Sequence, residues 1–364
     1  MKILIIAGSE HFLYGFKKEL ICALAESGHE IVVSTPTGSM HAELAALPCR
    51  IIDTPVDRRG LNPLKDAKLY RQYKKMMAQE QPDKVITYTV KCNVYGGMAA
   101  RKKKIPYYTN VTGVGTGFQK KLLRRIVIFL YKKALKNVSG VFFENDANRD
   151  VFIKNKIIGA DKAVSVNGSG VNLEEFSYKE LPGAELPDEA FKTDFLFLGR
   201  VMKEKGIDEF LCCAKKAKEE ALDAAFSIVG GLEENYKERL EALNADGTVR
   251  YYGFQKDVKP FIERCDCVVL PSYHEGMSNT LLEGAAMGRP LITSDIPGCQ
   301  EAVLDGESGY LAQKSNADDL YDKIKKYLSL DVEARNVMSL ASRAHMEAHF
   351  DRKEVVQKTL EVIL

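Results

Sequence analysis

The sequence predicts an α/β protein built from two domains. With 364 residues, 45% of them hydrophobic, the chain is long enough to bury two cores of ordinary size. Short apolar runs alternate with amphipathic stretches, which is the pattern of parallel strands joined by helices. The amino terminus begins this pattern with an apolar strand at residues 3–7, Gly8 at its end, an amphipathic helix at 16–27 and a second strand at 30–34.

The rest of the first half continues in the same way. Its apolar runs predict four more strands, at residues 51–52, 84–88, 107–111 and 141–144. The first turn has the single glycine Gly8 and lacks the other glycines and the strand-terminal acid of a dinucleotide fingerprint, which disfavours a nicotinamide enzyme. Lys91 and Asn93 follow the strand at 84–88, at the edge where open parallel sheets bind ligands.

The second half is predicted to begin after a polar, proline-bearing linker at residues 178–188. Its strands are expected at residues 195–198, 227–229, 249–253, 267–270 and 291–293. Arg200 and Lys205 lie just beyond the first of these strands, where two cations can meet both phosphates of a nucleotide diphosphate. Neither residue alone would indicate a diphosphate site. The interpretation depends on the spacing of the two residues.

Residues 271–303 concentrate the chemistry of the chain. Pro271 ends a buried strand, and Ser278 or Asn279 can cap a helix that stops at Gly288. The start of that helix offers free N–H groups to a phosphate. Glu275 precedes the helix and Glu283 lies within it, and carboxylates beside a phosphate seat can hold the hydroxyls of a ribose or a hexose. The alternative interpretation is that one of these glutamates caps the helix and the other is exposed to solvent, and that neither binds a ligand.

These residues carry a family resemblance. Glu275 and Glu283 with seven residues between them, the Gly288-Arg289-Pro290 turn and the Gly298-x-x-Glu301 turn resemble the donor-site signature of the family 4 retaining glycosyltransferases. Gly199-Arg200 with Lys205-Gly206 is similar to a second part of that pattern. The resemblance implies a GT-B fold, with two Rossmann-like domains facing each other across a cleft. It implies an acceptor-binding domain at residues 1–170, a nucleotide-sugar domain at 171–347, and a last helix at 348–364 that packs back on the first domain.

The resemblance also implies roles for individual residues. Arg200 and Lys205 would neutralise the leaving diphosphate, Glu275 would hold the donor sugar, and Glu283 would hold the ribose. The remaining donor-binding candidates are Gly8, Gly199, Phe254, Gln255, Gly276, Met277, Ser278 and Asn279. The acceptor-side candidates are His11, Lys91, Asn93 and Thr112. Thr112 stands where many members of the family have a histidine, which is a departure from the pattern.

The reaction implied is transfer of a hexose, N-acetylhexosamine or uronic acid from a UDP-sugar with retention at the anomeric carbon. The chain looks most like bacterial enzymes that extend undecaprenyl-diphosphate-linked glycans for capsule, exopolysaccharide or O-antigen. No Asp-x-Asp occurs, so neither a metal nor another cofactor is expected. Retaining glycosidases also use paired carboxylates, but they need no diphosphate seat. The alternatives are a UDP-sugar 2-epimerase of the same fold and a non-catalytic nucleotide-sugar-binding protein.

Charge and composition bear on location. Residues 1–170 carry 28 basic and 14 acidic side chains, whereas residues 171–364 carry 24 and 36. Residues 119–137 combine seven cations with a broad apolar stripe, which favours contact with an anionic membrane, although a core helix with a solvated back is the alternative. Nucleic acid is not expected, because no aromatic platform accompanies the charge. The scattered cysteines and the absence of a leader or spanning run predict a cytoplasmic protein, peripheral on the inner face of the plasma membrane.

Overall fold

The computed structural model describes residues 1–57, 60, 62–113, 121–182 and 193–364, without the side chains of Lys121 and Leu122. The chain divides into two compact units. The first comprises Met1–Ser169 with Lys353–Leu364, and the second comprises Gly170–Arg352. The sequence-based division after residue 170 lies one residue from this boundary, whereas the return to the first unit comes at Lys353 rather than at 348. Part of the predicted linker lies outside the described residues.

The first unit is built on a parallel sheet of seven strands in the order β3-β2-β1-β4-β5-β6-β7. In chain order the strands are β1 Lys2–Ile6, β2 Glu30–Thr35, β3 Arg50–Asp53, β4 Lys84–Tyr88, β5 Tyr107–Val111, β6 Gly140–Phe143 and β7 Ala163–Ser165. The central strands are buried throughout, because helices cover both faces of a parallel sheet. The order reverses between β1 and β4, so the crevice beyond their carboxyl ends is the topological switch point.

Among the described residues, seven helices accompany this sheet. They are α1 Glu10–Glu26, α2 His41–Ala45, α3 Pro63–Glu80, α4 Gly97–Lys103, α5 Lys121–Ala134, α6 Asp146–Lys154 and α13 Arg352–Ile363. Helix α1 begins six residues earlier than predicted, because the hydroxyl of Ser9 caps it by accepting the Phe12 amide at 3.4 Å. A π-helical turn, Cys92–Gly96, joins β4 to α4, and Thr89 before it has a φ of 73°. Neither feature was expected from the sequence, and both are common near functional sites.

The second unit has a parallel sheet of six strands in the order β10-β9-β8-β11-β12-β13. The strands are β8 Thr193–Leu198, β9 Ala224–Val229, β10 Arg250–Tyr251, β11 Cys267–Leu270, β12 Leu291–Ser294 and β13 Gly309–Ala312. The helices are α7 Ile207–Glu219, α8 Lys237–Ala245, α9 Lys259–Arg264, α10 Asn279–Ala286, α11 Ala317–Leu328 and α12 Val332–His349. The predicted strand at 249–253 is reduced to the two residues of β10. The switch point lies between β8 and β11, the two strands that precede the predicted site.

The two ends of the second unit are joined to each other. The Val171 amide donates to the Phe350 carbonyl at 2.8 Å, and the Arg352 amide donates to the Val171 carbonyl at 3.0 Å. Gly170 has a φ of 63°, and a Cβ there would lie 2.6 Å from the Cα of Arg352, so glycine is required at this crossing. Among the described residues, no helix has the length and apolar character needed to cross a membrane.

Candidate active site

The switch point of the second unit brings together two loops that are distant in sequence. Gly199 and Arg200 follow β8, and residues 271–278 follow β11. A tight contact fixes one loop against the other, because Gly206 has a φ of 74° and a Cβ there would lie 2.1 Å from the carbonyl oxygen of Pro271. Only glycine permits this approach. The short helical turn Lys203–Lys205 is thereby held beside the loop that carries Glu275.

Lys205 and Glu275 form an ion pair at the centre of the site. The ammonium Nζ lies 2.5 Å from Oε1 of Glu275, and the Ser272 hydroxyl donates to the same oxygen at 2.7 Å. The two charged side chains are only 17% and 10% exposed, so the interaction is weakly screened by water. This arrangement presents one cation to a diphosphate and one acceptor to a sugar hydroxyl. Ser272 was not predicted, since nothing in its local sequence distinguishes it from an ordinary loop serine.

The Gly298-x-x-Glu301 turn supports this loop from behind. The Ser278 amide donates to the Gly298 carbonyl at 3.0 Å, and Glu301 accepts the Gly298 amide at 2.6 Å. Gly298 has a φ of 89°, and a Cβ there would lie 2.6 Å from the carbonyl oxygen of Gly276. The turn therefore fixes the backbone around Glu275 and Gly276.

Helix α10 starts beside the Lys205–Glu275 pair in sequence and supplies polar groups of its own. Ser278 is its amino-terminal cap but makes no capping hydrogen bond through its side chain. Met277 and Ser278 are buried, and the buried Oδ1 of Asn279 has no hydrogen-bond partner among the described residues. The first turn of a helix leaves backbone N–H groups unpaired and carries partial positive charge. These features suit an anionic, hydrogen-bonding ligand.

Glu283 lies in the middle of α10, and the pKa of its carboxyl is raised. Burial raises the pKa of this carboxyl to about 7, the Arg352 guanidinium opposes the shift, and the Glu175 carboxylate adds to it. The carboxyl is therefore close to half protonated at neutral pH. Hydroxyl groups that donate to it stabilise the ionised form and lower its pKa. Such a group is suited to hold a diol, because binding converts a poorly solvated carboxylate into a hydrogen-bonded one.

Other donor-side candidates lie beyond the ends of β8 and β10, the two strands that flank β9. The Arg200 side chain is half exposed, with Nη1 3.8 Å from Oε1 of Glu233. The Phe254 ring is 62% exposed and follows β10, while the Gln255 amide donates to the Tyr252 carbonyl at 2.8 Å. An exposed aromatic ring at this edge is a suitable platform for stacking a base.

Arg289 was predicted only as part of a turn, and the structure gives it a larger role. Its guanidinium is fully buried and donates to the carbonyls of Met287 and Cys265. It also donates to the carbonyls of Lys179 and Glu180, which lie more than a hundred residues earlier in the chain. The side chain therefore ties the segment after α10 to the beginning of the second unit. These partners could not be predicted from the local sequence, because they are carbonyls of distant residues.

The acceptor-side candidates belong to the first unit and differ in their surroundings. Lys91 donates to Asp66 at 2.7 Å, and the Tyr95 hydroxyl donates to the other oxygen of Asp66 at 2.9 Å. The side chains of Lys91 and Asp66 are 13% and 17% exposed. Burial and the bond to Asp66 raise the pKa of Tyr95. Lys91 and Tyr95 follow β4, and Asp66 reaches them from the first turn of α3, so Asp66 and Tyr95 join the predicted polar groups near the switch point.

The other acceptor-side candidates are less prominent. Asn93 is 1% exposed and its amide donates to the Asn110 carbonyl at 2.8 Å, a position that supports the end of β5. The acceptor-side candidate His11 lies exposed in the first turn of α1, while Gly8, a donor-binding candidate, follows β1. Thr112 follows β5 and is half-buried. The structure thus brings Lys91 into a polar cluster, whereas Asn93 is enclosed.

Comparison with known proteins identifies the family. The model for glycosyl transferases group 1 matches residues 185–345, and the model for glycosyl transferase 4-like proteins matches residues 2–145. A Campylobacter jejuni N,N'-diacetylbacillosaminyl-diphospho-undecaprenol α-1,3-N-acetylgalactosaminyltransferase is 31% identical, over 100% of this chain and 98% of the relative. An Escherichia coli UDP-Gal:α-D-GlcNAc-diphosphoundecaprenol α-1,3-galactosyltransferase is 25% identical, over 86% and 84%. The chain belongs to the family 4 glycosyltransferases of group 1 and is a glycosyltransferase.

Solved structures confirm the fold. Anabaena Alr3699/HepE in complex with UDP and glucose has a TM-score of 0.80 and 18% identity, covering 99% of this chain and 98% of that one. A glycosyltransferase from Rickettsia africae has a TM-score of 0.78 and 19% identity, covering 100% and 97%. The predicted GT-B fold with two parallel-sheet α/β domains is therefore correct.

Proposed function

We propose that the protein transfers a sugar from a UDP-sugar to a polyprenyl-diphosphate-linked saccharide, with retention at the anomeric carbon. The observation that carries the donor side is the pair formed by Lys205 and Glu275 at the switch point of the second unit. The Campylobacter jejuni and Escherichia coli relatives act, by name, on saccharides linked to undecaprenyl diphosphate. The Anabaena protein of similar fold binds UDP and glucose.

We assign a separate role in the reaction to each residue of the site. As the bond to the anomeric carbon breaks, negative charge grows on the leaving diphosphate, and Lys205, Arg200 and the first turn of α10 are the groups that offset it. Diphosphate binding draws Lys205 away from Glu275 and leaves that carboxylate free to accept hydroxyls of the donor sugar. Glu283 holds the ribose diol in its ionised form. Because these cations are on the chain itself, we expect transfer to continue in the presence of EDTA.

The relatives suggest which donor to test first. Both named enzymes make α-1,3 linkages, and both transfer sugars of galacto configuration. UDP-sugars of this kind carry the α configuration, so an α product corresponds to retention. UDP-N-acetylgalactosamine and UDP-galactose are accordingly the first donors that we propose.

Helix α5 supports contact with a membrane surface. Its inner face, including Tyr131 and Ala134, is buried, as in the core-helix interpretation. Ile126 and Phe129 are 49% and 63% exposed, and exposed cations such as Arg125 lie next to them in the sequence. Exposed apolar side chains among cations suit an anionic lipid interface. We propose that the protein is peripheral on the inner face of the plasma membrane, where this helix meets the lipid.

The decisive experiment supplies purified protein with a panel of UDP-sugars and a synthetic polyprenyl-diphosphate monosaccharide in detergent, which is the kind of acceptor that the two relatives name. The expected result is a product extended by one sugar, formed with one donor and formed about 100- to 1,000-fold more slowly by Lys205→Met. A 2-epimerase would convert the UDP-sugar with no acceptor present, and a binding protein would shift the melting temperature without turnover. Either of these results would refute the proposed transfer. The anomeric configuration of the product, read by NMR coupling, tests retention.

A further inference from the structure

The first unit has a cavity that takes no part in the proposed reaction. It has a volume of about 740 Å³ and lies between the carboxyl ends of α5 and α6 and the segment that enters β7. Leu135, Val138 and Ile157 form buried apolar walls. Four exposed lysines line the cavity, Lys132, Lys136, Lys156 and Lys162. Among the described residues, no carboxylate forms an ion pair with any of these four.

Topology explains why the cations gather here. Helices α4, α5 and α6 end at the edge of the sheet where the parallel strands β5, β6 and β7 begin. The three connecting segments, residues 101–106, 132–139 and 154–162, hold ten lysines and arginines and one carboxylate, Asp161. Three helix carboxyl ends carry about half a negative charge each, so they offset only a small part of this positive charge. The edge therefore has a large cationic surplus.

The cavity fits a particular anion. Lysine ammonium groups are point charges on flexible stems, suited to a mobile phosphate with no fixed orientation. The apolar walls favour a ligand that is not a free phosphate, since a small hydrophilic ion gains nothing from them. Phe129 and Lys132 are spaced by three residues on α5, so they follow one face of the helix, and Lys136 lies two residues beyond its end. The six helical residues from Phe129 to Ala134 extend about 9 Å, which is the scale of a headgroup layer.

We propose that this cavity binds the phosphate of an anionic membrane phospholipid, with the glycerol and upper acyl chain against its apolar walls. The proposal builds on the membrane contact of α5 proposed above. It goes further by assigning a headgroup site at the sheet edge opposite to the loops that carry Gly8 and Lys91. Lipid composition, rather than the acceptor, would then govern how long the enzyme stays at the membrane.

The test is flotation of the full-length protein with vesicles of phosphatidylcholine alone or mixed equally with phosphatidylglycerol. The cavity variant is Lys136→Gln, Lys156→Gln and Lys162→Gln together. Its matched control removes the same charge from exposed positions of α3, as Lys68→Gln, Arg71→Gln and Lys75→Gln. At about fivefold in affinity per cation near an anionic surface, the cavity variant should lose about 100-fold and the control less than about fivefold.

Further variants and a competing ligand test the headgroup site independently of the membrane contact of α5 on which the proposal rests. Ile126→Ser with Phe129→Ser should weaken binding to both kinds of vesicle, and unchanged binding would refute insertion of α5 while leaving the headgroup site standing. Equal losses in the cavity variant and its control would overturn the site, since net charge alone would then explain binding. Displacement of vesicles by low millimolar glycerol phosphate would assign the cavity to a soluble phosphate and overturn the lipid. Sugar transfer in detergent should be unchanged in the cavity variant.

Discussion

The elevated pKa of Glu283 predicts that replacing this active-site residue will stabilise the protein. Most substitutions of single residues destabilise a protein. The pKa of Glu283 is about 7 in the folded state, whereas the ordinary pKa of a glutamate side chain is 4.5. The folded state therefore binds this proton more tightly than the unfolded chain. Stability contributed by the neutral carboxyl is complete below pH 4.5 and is lost as the pH rises to about 7. This difference in pKa corresponds to about 3 kcal/mol in the free energy of unfolding. Because the side chain is only half-buried, water screens part of the effect, and we expect about 2 to 3 kcal/mol.

Glu283→Gln removes the charge and keeps the shape. The substituted protein should be more stable by about 2 to 3 kcal/mol at pH 8 and no more stable at pH 4.5, where the wild-type carboxyl is already neutral. For a unit of this size, such a change raises the melting midpoint by about 4 to 12 °C at pH 8. Thermal unfolding of both proteins at several pH values measures the effect. Parallel pH profiles for the two proteins would refute the assignment of an elevated pKa.

Donor binding should change in the opposite direction in the same variant. Hydrogen bonds to an ionised group contribute about 1.5–3 kcal/mol, so UDP should bind Glu283→Gln about 30-fold more weakly. In the wild-type protein, UDP affinity should rise with pH up to about 7 and then level off, with release of a proton on binding below that pH. Calorimetry in buffers of different ionisation enthalpy measures that proton. Tight, pH-independent UDP binding by the variant would show that Glu283 does not hold the ribose.

Three further substitutions test other parts of the site. Lys205→Met should lower kcat by about 100- to 1,000-fold, because a cation at the leaving diphosphate is lost and Glu275 is left unpaired, and an unchanged initial rate would contradict this role. Arg289→Met should destabilise the protein by about 3–5 kcal/mol in urea unfolding, because it leaves several buried carbonyls unpaired, whereas a cost below about 1 kcal/mol would mean that water replaces the guanidinium. Asp66→Asn should raise the KM for the lipid-linked acceptor by about tenfold through loss of its pairing with Lys91, and a change in the KM for the donor instead would place this cluster on the donor side.

Much of the site could be predicted because its signals are local. The apolar run of β11, the proline that ends it and Gly288 after α10 lie within a few residues of one another, and each has a short-range physical meaning. Gly288 adopts the predicted left-handed conformation with a φ of 79°. The predicted spacing of Glu275 and Glu283 likewise follows from one short loop and one helix. Motifs of this kind can be found from sequence because chain connectivity alone brings their parts together.

The sequence by itself determined the class of fold, the strands that end at the site and the residue types available there. Only the tertiary structure decided which groups meet. Lys205 and Glu275 pair across 70 positions, and Arg289 reaches carbonyls 110 positions away. The cationic cavity exists because three parallel crossovers end at one sheet edge. Hydrophobic periodicity indicates which side of an element is buried. It does not indicate which residue will form a hydrogen bond or ion pair with a polar side chain on that side, because the packing of the whole unit determines that partner.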